Sequence, residues 1–180
     1  MTPIALVTGG AARIGAVIVT TLHEAGYDVW VHYHRSQQQA LALADQLNAR
    51  RAGSVRLVQA DLFELEAIAR LATEVGRGRL DLLVNNASTF FPTPLGTITS
   101  AHWDNLMGSN ARAPLWLCQH LAPLLAASGG NIVNIIDSTS RYGLARFIPY
   151  AMAKAALANM TRSLARELAP RSEEHTSELQ

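Results

Sequence analysis

The amino-acid sequence predicts an α/β fold: a doubly wound parallel sheet in three layers, with helices covering both faces. Two observations carry that prediction. Short apolar runs alternate with helix-period stretches in strict β-α-β-α order, the pattern that parallel sheets require. The runs are also apolar nearly throughout, rather than apolar at every second residue, as expected of strands buried on both faces.

The elements follow in order. Ile4–Thr8 is a β-branched run ending at Gly9-Gly10, and Ile14–Ala25 continues with helical spacing until Gly26 stops it. Val29–His34 reads as a second strand, and Ser36 is placed to cap a helix reaching about Arg51. Val55–Ala60 is a third strand, and Glu64–Val75 a third helix closed by Gly76. Leu80–Asn85 is a fourth strand, Pro114–Ala127 lies in a helix, and Asn131–Ile136 is a fifth strand. Tyr150–Ala169, rich in alanine and leucine, is the last helix. About five strands in this order make a Rossmann-like sheet.

Composition narrows the function. The 180 residues carry a net charge of +1, without the basic excess of a dedicated nucleic-acid binder. Hydrophobic residues make up 49% and charged residues 16%, so the chain can bury a core. One cysteine, Cys118, excludes an internal disulfide framework. The longest apolar runs fall short of the roughly 20 residues of a membrane span, and the N-terminus lacks a signal-peptide pattern, so a cytoplasmic protein is expected.

Thr8-Gly9-Gly10-Ala11-Ala12-Arg13-Ile14-Gly15 lies between the first strand and the first helix. Glycines there permit a tight turn and close approach of backbone to a phosphate, which the helix N-terminus then attracts. Thr8, Gly9, Arg13, Ile14 and Gly15 are therefore candidate cofactor contacts. Arg13 stands where many dinucleotide folds have glycine, and its guanidinium could reach a phosphate or an anionic substrate group. The second strand ends in His32-Tyr33-His34-Arg35-Ser36, with no acid to hold a ribose 2′-hydroxyl. Arg35 and Ser36 suit a 2′-phosphate instead, which points to NADPH. His32 and His34 lack a third ligand, so no metal is expected.

Tyr150 and Lys154 stand four residues apart on one helix face. A neighbouring ammonium favours the phenolate, so Lys154 is expected to lower the Tyr150 pKa. Lys154 is the only lysine beside 14 arginines, whose planar head does not offer a compact ammonium. With the glycine turn and Asn85-Asn86-Ala87 after the fourth strand, the pair makes residues 4 to 170 resemble the short-chain dehydrogenase/reductases. The resemblance implies that Asn85, Asn86 and Ala87 support sheet and cofactor, that Asn110 organises a proton relay, and that Asp61 and Leu62 lie beside the adenine. It also implies a homo-oligomer, often a tetramer, built through helices around Ala113–Leu125 and Tyr150–Ala169.

Thirteen residues before the tyrosine that family generally has a serine; here the position holds Asp137, followed by Ser138. Either the register slips and Ser138 or Ser140 takes the role, or a carboxyl group replaces the hydroxyl and binds the N–H donors of a pterin. Asn85-Asn86-Ala87-Ser88-Thr89-Phe90-Phe91-Pro92-Thr93-Pro94-Leu95, together with Arg13, the His32–Ser36 segment and Asp137, resembles the pteridine reductase branch. That resemblance implies that Phe90 stacks on the pterin, that Arg13 and Ser88 contact substrate and cofactor phosphate, and that Asp137 and Tyr150 handle protons. The expected activity is NADPH-dependent hydride transfer to a dihydropterin C=N bond. A general carbonyl reductase and a non-catalytic NADPH-binding protein are the rival readings.

Residues 1–170 are expected to be an incomplete reductase domain, since relatives in the family continue into further strands. The last ten residues, RSEEHTSELQ, resemble the translation of an adapter used in short-read DNA sequencing and cannot supply a buried strand. The fifth strand is then expected to be an exposed edge, and this polypeptide poorly soluble or inactive.

Overall fold

The computed structural model describes residues 1–169. The expected alternation is present: β1 (Ile4–Val7), α1 (Arg13–Glu24), β2 (Asp28–Tyr33), α2 (Gln37–Asn48), β3 (Val55–Gln59), α3 (Leu65–Val75) and β4 (Leu82–Asn85). A long helical stretch follows, made of α4 (Ser100–Met107), a π-helical turn over Gly108–Arg112, and α5 (Ala113–Ser128). β5 (Asn131–Asn134), the short α6 (Thr139–Tyr142) and α7 (Ile148–Leu168) complete the described chain. The expectations about residues 171–180 lie outside the described residues.

All pairings are parallel and the strand order is β3-β2-β1-β4-β5. The chain winds outward from β1 to β3, then crosses back to lay β4 on the other side of β1. This is the Rossmann-like sheet the sequence predicts, and its order reverses between β1 and β4. In such sheets ligands bind in the crevice at the carboxyl ends of the strands, where the order reverses.

Two apolar cores flank the sheet. Leu6 and Leu83 pack with Ile68 and Leu71 of α3 and with Leu117 and Leu121 of α5. Val7, Val29 and Val31 pack on the opposite face with Val19 of α1 and Leu47 of α2. Leu6 and Val7 are neighbours in one strand and both are fully buried, which is why the strands read as unbroken apolar runs. Fully burying each such side chain contributes about 1.5–3 kcal/mol. On α3, Ile68, Leu71, Ala72 and Val75 form a stripe at i, i+3, i+4 and i+7 that faces this core.

Several boundaries differ from the expectation. Ser36 precedes α2, but its side chain makes no capping hydrogen bond. α4, the π turn and α6 have no counterpart among the expected elements. α4 is opened by Thr99, whose hydroxyl accepts from the His102 N–H while the His102 ring accepts from the Thr99 N–H. Histidine thus closes a capping box whose usual signature ends in Glu or Gln. β5 departs from the doubly buried pattern: among the described residues it pairs only with β4, and Val133 is 43% exposed. No helix among the described residues is long and apolar enough to cross a membrane.

Candidate active site

The candidate residues gather along the carboxyl edge of the sheet. The turn after β1 is stitched to the end of β4. The Thr8 hydroxyl donates to the Val84 carbonyl (3.3 Å) and accepts from the Asn86 and Ala87 N–H groups (3.0 Å each). The Asn86 side-chain amide donates to the carbonyls of Thr8 (2.9 Å) and Gly9 (3.2 Å). α1 then packs directly on this turn. A Cβ on Gly15 would stand 2.1 Å from the Gly9 carbonyl oxygen, and Gly9 itself has φ +60°. Both positions therefore need glycine. Arg13 begins α1 with φ +53°, a region that side chains rarely adopt, and its side chain is exposed beside the exposed Ile14.

A dinucleotide fits this edge by the chemistry of its donors. α1 carries no acid in its first turn, so its N-terminus keeps its positive end for a phosphate. At the α2 N-terminus the Ser36 hydroxyl makes no capping hydrogen bond, and an exposed Arg35 stands beside it. His34 lies 3.6 Å from the Asp61 carboxylate, and Asp61 also accepts from the Phe63 N–H at 3.0 Å. His32, Tyr33 and Leu62 are buried. The His32 ring nitrogens bond within the protein, to the Gly9 N–H and the Ala60 carbonyl.

The π-helical turn delivers Asn110. Its one-residue widening breaks the α4–α5 stretch where the chain packs on α7 and meets the loop after β4, and such bulges recur at functional sites. Asn110 is fully buried. Its side-chain oxygen accepts from the Ser88 hydroxyl at 2.6 Å, and its amide donates to the Leu106 and Thr89 carbonyls at 3.0 Å. Thr89 and Ser109 share a hydroxyl–hydroxyl bond of 2.6 Å beside it. Ser88 therefore spends its hydroxyl proton on Asn110. The Thr89–Ser109 pair escaped the sequence reading, since isolated hydroxyl residues carry no spacing signal. Asn85, also buried, donates to Asn134 of β5 at 2.8 Å, and Asn134 donates to Thr161 of α7 at 2.9 Å. This chain of side chains ties β4, β5 and α7 together.

α7 carries Tyr150 and Lys154 on one face, its start favoured by Pro149 in the first turn. The Tyr150 hydroxyl donates to the Asp137 carboxylate at 3.0 Å. The other Asp137 oxygen accepts from the Thr139 N–H at 2.8 Å, and that bond chiefly holds the carboxyl pKa below its ordinary value. Burial, reinforced by Asp137, pushes the Tyr150 phenol up to about 12. The expectation that Lys154 lowers this pKa is corrected here. Lys154 is buried and donates to the Ile135 carbonyl at 2.9 Å, with its nitrogen 5.8 Å from the Tyr150 ring centroid. Its ammonium is turned to backbone, whereas the group bonded to the phenol is an anion. The site thus holds a protonated phenol on an ionised carboxylate.

Phe90 lies against this pair. Its ring stacks on Phe147 (centroids 4.5 Å apart, planes 7° apart) and meets Tyr150 edge-on at 4.8 Å. Phe90 nevertheless remains 57% exposed. An isolated parallel bridge joins Thr93 to Phe147, and the Thr93 N–H bonds to the carbonyl of Arg146, whose φ is +67°. The loop after β4 is thereby clamped to the start of α7. Phe147, three residues before Tyr150, was not singled out in the sequence; its only signal there is adjacency to the helix start.

A short chain dehydrogenase family profile matches residues 3–172. The chain is 40% identical over 207 residues to Pteridine reductase 1 of Leishmania tarentolae, covering 93% of this chain and 72% of that protein. It is 32% identical to the probable galactose dehydrogenase GalD of Rhizobium meliloti, covering 92% of this chain and 65% of that one. It is also 32% identical to the 3-oxoacyl-[acyl-carrier-protein] reductase FabG of Staphylococcus aureus, covering 95% and 70%. The chain thus spans 65% to 72% of the length of these relatives. The profile overlies the whole described sheet, from β1 through α7, and this chain belongs to the short-chain dehydrogenase/reductase family of oxidoreductases.

Proposed function

We propose that the protein is an NADPH-dependent reductase that adds hydride to the C=N bond of a dihydropterin. The observation that carries the reading is the Asp137–Tyr150 hydrogen bond beside the exposed ring of Phe90. A carboxylate in this position suits a substrate rich in N–H donors, and a flat aromatic wall suits a planar heterocycle. The 40% identity to a pteridine reductase supports the same substrate class. NADPH rather than NADH is favoured because β2 ends without an acid and leaves Arg35 and the Ser36 hydroxyl at the α2 N-terminus.

A bound nicotinamide supplies the hydride. This chain's residues supply orientation and a proton. Asp137 stays ionised and accepts N–H donors of the substrate edge with its remaining lone pairs. Tyr150 stays protonated through the neutral range and delivers its proton to the ring nitrogen as the carbon takes hydride, giving CH–NH. Lys154 fixes α7 to the end of β5 through the Ile135 carbonyl, and by the family resemblance its ammonium also holds the nicotinamide ribose. Asn110, Ser88 and Thr89 stiffen the wall between the glycine turn and Tyr150.

The test is NADPH oxidation with dihydrobiopterin, dihydromonapterin and dihydrofolate beside simple ketones. Turnover of ketones alone sinks the pterin reading. The relatives acting as a 3-oxoacyl reductase and a sugar dehydrogenase keep one rival, a general carbonyl reductase, in view. Asp137→Ser separates the two: it cripples a pterin reductase and leaves a ketone reductase equal or faster.

A further inference from the structure

His32 occupies a position where a ligand contact is expected, yet it is only 2% exposed and faces inward. The Gly9 N–H donates to its Nδ1 at 3.1 Å, and its Nε2 lies 3.1 Å from the Ala60 carbonyl. The next amide of the turn, Gly10 N–H, donates to the backbone carbonyl of the same residue at 3.0 Å. One residue of β2 therefore holds two consecutive amides of the glycine-rich turn, and its ring anchors that hold to the end of β3.

The partners dictate the state of the ring. A carbonyl can only accept, so Nε2 carries the hydrogen; an amide N–H can only donate, so Nδ1 must keep its lone pair. Only the neutral Nε2–H tautomer satisfies both. Burial agrees, pushing the His32 pKa down to about 4 against the opposing pull of the hydrogen bond to the Ala60 carbonyl.

We propose that His32 is a positioning residue for the phosphate-facing turn: its neutral imidazole fixes the Gly9 conformation and so sets cofactor affinity without touching the cofactor. This rests on the reading that the turn holds a nicotinamide dinucleotide. Gly9 and Gly10 are tied back to β2 in this way immediately before α1 begins at Arg13, so the path of the turn into the helix N-terminus depends on His32. Removing the ring leaves a part-buried N–H and a buried carbonyl unpartnered, a cost that a loosened turn relieves.

Fluorescence titration with NADPH tests this on the whole chain. His32→Phe, which keeps a ring but has no polar atom, is expected to raise the NADPH Kd by about tenfold or more. His32→Gln, whose amide supplies one acceptor and one donor, is expected to restore most of that loss. A folded His32→Phe variant with an unchanged Kd overturns the proposal, because a merely stabilising residue would lower Tm and leave Kd alone. Nitrogen-15 spectra of the wild-type histidines provide a second measurement that does not depend on any variant folding. They are expected to show His32 protonated at Nε2 alone, and a proton on Nδ1 overturns the proposal. Wild-type protein that binds neither NADPH nor NADH sinks the cofactor reading instead. The clamp is then judged by hydrogen exchange at the Gly9 amide, expected to be slow in the wild type and fast in His32→Phe; equal rates overturn it.

Discussion

Tyr150 and Asp137 show how a pair of residues can share a proton unequally. The phenol is protonated because it is buried and because its partner is an anion; the carboxyl is ionised because a backbone N–H and the phenol both donate to it. The sign of the coupling is testable. Asp137→Asn removes the negative charge that holds the phenol up, so the Tyr150 pKa should fall from about 12 part of the way toward the ordinary value of about 10. Ultraviolet titration of the phenolate measures this directly, and an unchanged or higher value would contradict the assigned cause. A donor with so high a pKa stays protonated below it, so reductive turnover limited by Tyr150 should show no alkaline loss until well above neutral pH. The sequence made the tyrosine, the lysine and the aspartate legible through spacing. It did not reveal that Lys154 would turn to the Ile135 carbonyl, since that depends on where β5 ends relative to α7.

At the scale of elements, the glycine-rich turn is a joint whose tolerance is measured in tenths of an ångström. Gly15→Ala would drive a methyl group into the Gly9 carbonyl oxygen and close to the Asn86 amide, both of them backbone or hydrogen-bonded partners that cannot swing away. The expected outcome is a loss of about 1–3 kcal/mol in stability, read as a lower urea midpoint, together with weakened NADPH binding. A variant with wild-type midpoint and affinity would show that α1 can slide on the turn. Helix α4 and the π turn show why some elements stayed hidden. The capping box of α4 is closed by a histidine where the expected signature has a carboxylate or amide side chain, and the widened turn after it puts α4 out of phase with α5. Periodicity finds regular helices; a helix that changes pitch loses its phase.

Across the whole molecule, the fold was legible because both faces of the sheet are covered, so each strand announces itself as an apolar run. β5 is the exception, with alternate residues exposed and one side unpaired among the described residues. The unpaired backbone of this edge is a template for pairing with another chain, and Val133, 43% exposed, adds apolar surface to it. Val133→Lys should therefore reduce light scattering of concentrated protein while changing Tm by no more than a few degrees. Greater scattering from the lysine variant would place the association surface elsewhere. The cluster of Phe90, Phe147 and Tyr150 could not be read from sequence at all, because its members are brought together by the Thr93–Phe147 bridge rather than by spacing.

That bridge has an entropic consequence. An aromatic side chain on a free loop must give up its rotamer freedom when a ligand arrives, and that loss is subtracted from affinity. Here the loop after β4 is fastened to the start of α7, and the Phe90 ring is already stacked on Phe147 while more than half of it still faces outward. The ordering of this wall belongs to the folding transition, so a flat ligand meets a surface whose disorder has been removed before the encounter begins.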